Sequence, residues 1–184
     1  ADWATPLDCH IVSVDEEARP ASEPSVFVDG NHEDFTALWS PCGRWVAYHT
    51  HRCPEQLHIP FYDAIGARDA IFVRAAEDLQ APETEISENG WEIYKPVWSP
   101  DGRTILYFSW DRNGIPGIGQ LFAIDFDPET GRKLGHRLIP HAEGITSVAA
   151  VDWMPDGKHV VIENDYAPGQ RELWIMALDG SSAR

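Results

Sequence analysis

Strand-sized apolar runs, each closed by a cluster of polar turn residues, recur along the whole chain. Runs of about four to eight residues suit strands, since a helix needs roughly ten to twelve to bury a face. The one helix-like stretch, RAAEDLQAPETE (74–85), is short and is interrupted by Pro82. Three runs share one pattern and align without a gap: ALWSPCGRWVAYHTH (37–51), PVWSPDGRTILYFSW (96–110) and AVDWMPDGKHVVIEND (150–165). In each, an apolar strand ends at a tryptophan (Trp39, Trp98, Trp153) and a tight turn leads into a second strand. Proline pre-sets φ early in that turn, and glycine tolerates positive φ at its end.

The repeat sets the architecture. The tryptophans stand 59 and 55 residues apart (39 to 98 and 98 to 153). These periods exceed the roughly 40–45 residues of a plain four-stranded blade, so each unit carries an insertion. A third strand with a polar exit follows in every unit: DAIFVRAAED, QLFAIDFDPETG and ELWIMALDG. An outer strand such as HRLIP (136–140) comes after it. Such units cannot bury both faces alone and must stack. The pattern predicts all-β, four-stranded antiparallel blades with Trp39, Trp98 and Trp153 buried at the ends of inner strands. HIVSVD (10–15) and SVFVD (25–29) read as the third and outer strands of a preceding blade, and the last unit shows no outer strand. The expected organisation is one propeller segment over 1–184: the end of a blade at 1–35, blades at 36–90 and 91–148, and an incomplete blade at 149–184.

The W-S-P-D-G turn, with its flanking strands and the downstream L-[WF]-x-[IM]-x-x-D-G, resembles the TolB-type, WD-repeat-like β-propeller repeat. The same repeat occurs in propellers attached to prolyl-oligopeptidase-type peptidases and in propeller lyases. The resemblance covers about residues 9–179. Cys42 departs from it in the first turn and Met154 in the third, while proline and glycine persist in both. The strand inventory amounts to about three blades, a half-ring or a fragment of a six-to-eight-bladed propeller. The resemblance implies an extracytoplasmic scaffold that binds a partner protein by its channel or one face, placing the chain in the periplasm or outside the cell, with the cytoplasm as the alternative.

Charge narrows the partners. Fourteen Lys and Arg against thirty Asp and Glu give a formal net charge of −16. That balance repels nucleic acids and anionic membrane surfaces, and no run of about 18 apolar residues is present to insert into a bilayer. Cys9, Cys42 and Cys53 are too few for a disulfide scaffold. The opening Ala-Asp-Trp fits a mature N-terminus left by leader cleavage or a boundary inside a longer chain.

The propeller resemblance places second-to-third and outer-to-inner loops on one face. That face would collect His32, Glu33, His51, His58, Trp110, Asp111, Arg112, His141, Asp165 and Tyr166 as candidate residues for binding a protein or a small ligand. His49 and His51 fall on one side of a strand, with Cys53 two further on. Imidazole and thiolate together suit zinc or another first-row divalent metal. Against this, His49 aligns with Phe108 and could fill the same packing slot. Trp91, Trp110 and Trp45 break the repeat register and are candidates for surface-binding aromatics. No G-x-S-x-G elbow occurs, so no peptidase nucleophile, and no catalytic residue at all, is assigned. A metal-dependent, lyase-like or peptidase-associated propeller is the alternative to the non-catalytic scaffold, which needs no cofactor. Two copies are a further expectation, as a homodimer closing a six-bladed ring with SVFVD completing the last blade.

Overall fold

The structure, a computed structural model, describes residues 9–28, 33–52, 68–78, 80–88, 93–110, 119–167 and 169–184. A short hairpin of β1 (Cys9–Ile11) and β2 (Ser25–Val28) comes first. Blade 1 is β3 (Glu33–Trp39), β4 (Trp45–Arg52), β5 (Arg68–Ala75) and β6 (Thr84–Glu85). Blade 2 is β7 (Ile93–Trp98), β8 (Thr104–Trp110), β9 (Gly119–Asp127) and β10 (Arg132–Ile139). Blade 3 is β11 (Val148–Trp153), β12 (His159–Ala167) and β13 (Gln170–Ala177). All pairings are antiparallel and sequential.

Position within a blade decides how apolar a strand must be. β8 lies mid-blade between two neighbours, and Ile105 to Ser109 are all buried. β10 is an outer strand, so only Ile139 is fully buried while Leu134 and Leu138 face solvent. Side chains alternate across each sheet, and the two faces feed different cores. Ala47, Ile71 and Val73 of blade 1 meet Trp98, Ile105, Tyr107 and Ile124 of blade 2. Leu106, Phe108 and Leu121 on the far side of blade 2 meet Val151, Val160 and Ile162 of blade 3. Phe27 and Val28 of the first hairpin cover Val46, Tyr48 and Phe72.

The inner turns are chemically alike. Gly43, Gly102 and Gly157 each adopt positive φ, and each donates its N–H to the carbonyl three residues earlier. In the second turn Asp101 accepts from the Ser99 hydroxyl and the Arg103 amide. Cys42 replaces that carboxylate in the first turn, 3.4 Å from Ser40 Oγ. The Ser40 hydroxyl holds the Cys42 thiol below its ordinary pKa, with Arg44 helping and burial opposing. Replacing Cys42 by aspartate is expected to restore the full turn and add about 0.5–1 kcal/mol of stability. A thermal melt unchanged or lowered relative to the parent protein would contradict this.

Each inner strand also carries a bulge, between Phe35 and Leu38, Tyr94 and Val97, and Val148 and Ala150. Thr36 and Lys95 adopt positive φ at the first two. These bulges turn the start of each inner strand away from the plane of its blade.

The tryptophans knit blade to blade. Trp98 Nε1 donates to the Leu38 carbonyl (3.0 Å) and Trp153 Nε1 to the Val97 carbonyl (3.3 Å). Each indole thus bonds the residue just before the tryptophan of the preceding blade. Trp98 is buried, at 8% exposure, and Trp153 is half-buried. Trp39 departs from the sequence expectation: it is 52% exposed. Its indole would need an inner strand on the other side of blade 1, and the described residues there are β1 and β2, which cover Tyr48 and Phe72 instead. Trp45 also differs from expectation. It is no surface-binding aromatic, for its indole donates to the Pro128 carbonyl at 2.9 Å and packs edge-on against Phe126. Beside it Arg44 forks onto both carboxylate oxygens of Glu129, at 3.0 and 2.8 Å.

Near residue 184 Met176 forms an isolated bridge with Ala183, and Ile175 and Arg184 exchange backbone hydrogen bonds. Blade 3 has three paired strands, and this bridge lies along the outer edge of β13.

Candidate functional site

Inner strands start, second strands end and third strands start at one end of the sheets, opposite the S-P-D-G turns. Strand direction therefore puts Glu33, His51, Trp110, His141 and Asp165 at that end. On β4, Ala47 faces blade 2, so His49 and His51 continue along the same side. Asp69, opposite His51 in the register, begins β5 and sits on that side with Ile71.

Asp69 is the centre of this cluster, and sequence reasoning missed it. Its Oδ1 lies 2.8 Å from His51 Nδ1 and 3.3 Å from His49 Nε2. The second contact is off the hydrogen-bond line. Burial pushes the Asp69 carboxyl up, but the contacts with His49 and His51 outweigh it and leave the pKa below its usual value. His49 is buried, stacked on Phe35 at 5.5 Å and 6.1 Å from Tyr94. Phe35 faces His49 in the register as Tyr94 faces Phe108, so His49 occupies the Phe108 slot while keeping a polar contact.

The sign of the pH effect follows from the lowered carboxyl. The folded state holds the Asp69 proton less tightly than the unfolded chain does. Its stabilisation is therefore present above the ordinary carboxylate range near pH 4 and is lost as pH falls through the lower folded value. Asp69→Asn is expected to cost about 2–3 kcal/mol at pH 7, the worth of hydrogen bonds to a buried charge. Urea midpoints of the variant should fall less steeply between pH 5 and 3; a parallel fall in both proteins would exclude this role.

The other candidates are less tightly joined. Trp110 lies edge-on to Tyr94 at 6.3 Å and donates to the Val148 carbonyl of blade 3 at 3.3 Å. His141 follows β10; burial lowers its pKa against a bond to the Ile145 backbone, and its Nε2 is buried without a hydrogen-bond partner. Asp165 ends 3.7 Å from Arg171 Nε. Beside it the buried Asn164 ties down the preceding loop, accepting from Thr146 and Ser147 and donating to Gly144. Glu33 pairs opposite His51 by its backbone. His32, Cys53, His58, Asp111, Arg112 and Trp91, and the side chains of Glu33 and Tyr166, lie outside the described residues.

The expected metal set of His49, His51 and Cys53 thus reaches beyond the described part of the chain. Among the described residues, no three His, Cys, Asp or Glu side chains are grouped to hold a metal ion, and both histidines direct a ring nitrogen at Asp69.

Repeated blades, W-x-P-x-G turns and sequential antiparallel sheets define an arc of a β-propeller. Comparison with known proteins makes the arc TolB-like. The chain is 26% identical over 142 residues to the Tol-Pal system protein TolB of Alcanivorax borkumensis, covering 73% of this chain and 26% of that protein. Among solved structures, TolB from Acinetobacter baumannii superposes over 98% of this chain and 49% of its own (TM-score 0.51, 13% identity). A puromycin-hydrolyzing peptidase of Mycobacterium tuberculosis matches 88% of this chain and 25% of its own (TM-score 0.63, 19% identity). No protein-family model matches the chain. The chain therefore spans about a quarter of that TolB sequence and half of that TolB structure.

Proposed function

We propose that this propeller arc is a non-catalytic, TolB-like scaffold of the bacterial periplasm that binds a protein partner at the loop end of its blades. The observation that carries the reading is the placement of His51, Trp110, His141 and Asp165 at one end of the blades, three of them at the ends of paired strands and His141 just beyond one. Side chains mounted this way lose little entropy on binding, and loops at one end of a rigid scaffold are the usual seat of recognition. The Tol-Pal relatives suggest Pal, the component named with them, as the first partner to try. Binding of the source organism's Pal, followed by biolayer interferometry, should be weakened at least about tenfold by Trp110→Ala or Asp165→Ala. No binding up to about 100 μM would remove the proposal.

The two-copy ring is the lesser reading. β2 already pairs with β1, and Ala183 bridges Met176 along the edge of β13. Closing onto a second copy through that edge would require the bridge to give way. A dimer by light scattering that is lost on deleting Ser25–Val28 would restore it.

A further inference from the structure

We propose that Glu88, His136 and Tyr107 form a pH-sensitive latch between blades 1 and 2, closed while the imidazole is neutral and released when it takes a proton. The latch is independent of what the loop end binds. Glu88 follows β6 in blade 1; Tyr107 and His136 lie on β8 and β10 of blade 2. Tyr107 is fully buried and its Oη lies 2.7 Å from His136 Nε2. His136 Nδ1 in turn lies 3.4 Å from Glu88 Oε2. The contacts form a relay from blade 2 to blade 1: tyrosine hydrogen to His136 Nε2, and His136 Nδ1–H toward the Glu88 carboxylate.

That relay requires one protonation state. A neutral imidazole with its hydrogen on Nδ1 leaves Nε2 to accept from the phenol. Burial raises the Tyr107 pKa, so the phenol keeps its hydrogen and must place it somewhere. Protonating His136 turns Nε2 into a second donor facing that hydrogen, and the tyrosine hydrogen then loses His136 as its acceptor in the interior. The imidazole is driven outward, and its bridge from Tyr107 to Glu88 parts.

The surroundings favour the neutral form. The imidazole is stacked on Phe122 of β9 (5.3 Å, 10°) and Tyr107 (5.9 Å, 21°). Burial lowers its pKa, Glu88 opposes this, and Lys133 on its own strand adds to it. Lys133 Nζ holds Glu88 Oε1 at 2.7 Å and the Ile86 carbonyl at 3.0 Å, so the carboxylate stays seated without a charged imidazole. With a depressed folded pKa, the latch contributes fully above the ordinary histidine value and is lost as pH falls through the folded one.

Hydrogen exchange at pH 7.5 and 5.0, corrected for intrinsic rates, tests this on the wild-type protein and His136→Gln, whose amide oxygen can accept from Tyr107 but does not titrate. The wild type should lose protection at residues 86–88 and 132–139 by on the order of tenfold at pH 5.0, with His136→Gln nearly unchanged. Equal pH dependence in both proteins, or none in the wild type, would overturn the latch. Should His136→Gln fail to fold, an NMR titration of His136 in the wild type decides: titration at or above the ordinary histidine value refutes the proposal, and a clearly lower one supports it.

Discussion

Trp98→Ala is expected to destabilise the protein by about 3–5 kcal/mol, the range for truncating a buried tryptophan. The same change at Trp39 should cost less than about 1 kcal/mol, as for other exposed sites. The two residues hold the same place in the repeat, so composition and turn chemistry are matched between them. They differ in surroundings. Trp98 is buried, meets Phe126 edge-on at 5.1 Å and donates to the Leu38 carbonyl. Its removal would open a cavity between blades 1 and 2 and orphan that carbonyl. Trp39 stands half in solvent. Urea unfolding followed by far-ultraviolet circular dichroism reads both, and equal losses would mean that the indole–carbonyl joint is not what holds the blades together.

Gly119→Ala should be nearly as damaging, at about 3 kcal/mol, the upper range for overpacking. Gly119 opens β9 where blade 2 meets blade 3, and its amide donates to Ser147 Oγ at 2.7 Å. A Cβ there would intrude on the Val148 carbonyl, with the Val148 carbonyl carbon at 2.9 Å and Trp110 Nε1 at 2.6 Å. The obstacle is backbone, which cannot rotate aside. Gly157 offers the comparison: open space surrounds its missing Cβ, so Gly157→Ala bears only the positive-φ penalty of about 1 kcal/mol. Melting curves showing the two alanine variants equally stable would contradict this account.

The blades could be read from the sequence because their signal is local. A tryptophan, proline and glycine at fixed offsets specify the inner hairpin wherever they occur. Burial of the tryptophan is not local: it depends on the strand of the preceding blade, which explains why Trp98 meets the expectation and Trp39 does not. Trp45 departs from its sequence pattern for a related reason, since its acceptor at Pro128 lies in the next blade. The edge bridge at Ala183 is made by backbone bonds alone, which no apolar pattern announces. Asp69 is separated from His51 by an insertion that conceals their register, and only a charged residue heading an apolar strand hinted at it. His49 carried both its readings into the fold, packing like Phe108 and touching a carboxylate. Part of the candidate site, including His32, Cys53 and His58, lies outside the described residues.

The indole–carbonyl joints run both ways: Trp98 and Trp153 reach back to Leu38 and Val97, while Trp45 and Trp110 reach forward to Pro128 and Val148. Removing blade 3 would leave the Trp98 joint whole and strip Trp110 of its acceptor, whereas removing blade 1 would leave Trp110 joined and strip Trp98. In nearest-neighbour terms each seam is bolted from both sides. Partly unfolded forms that lose either end blade would then strand one tryptophan of blade 2, so indole exposure reports fraying from either end.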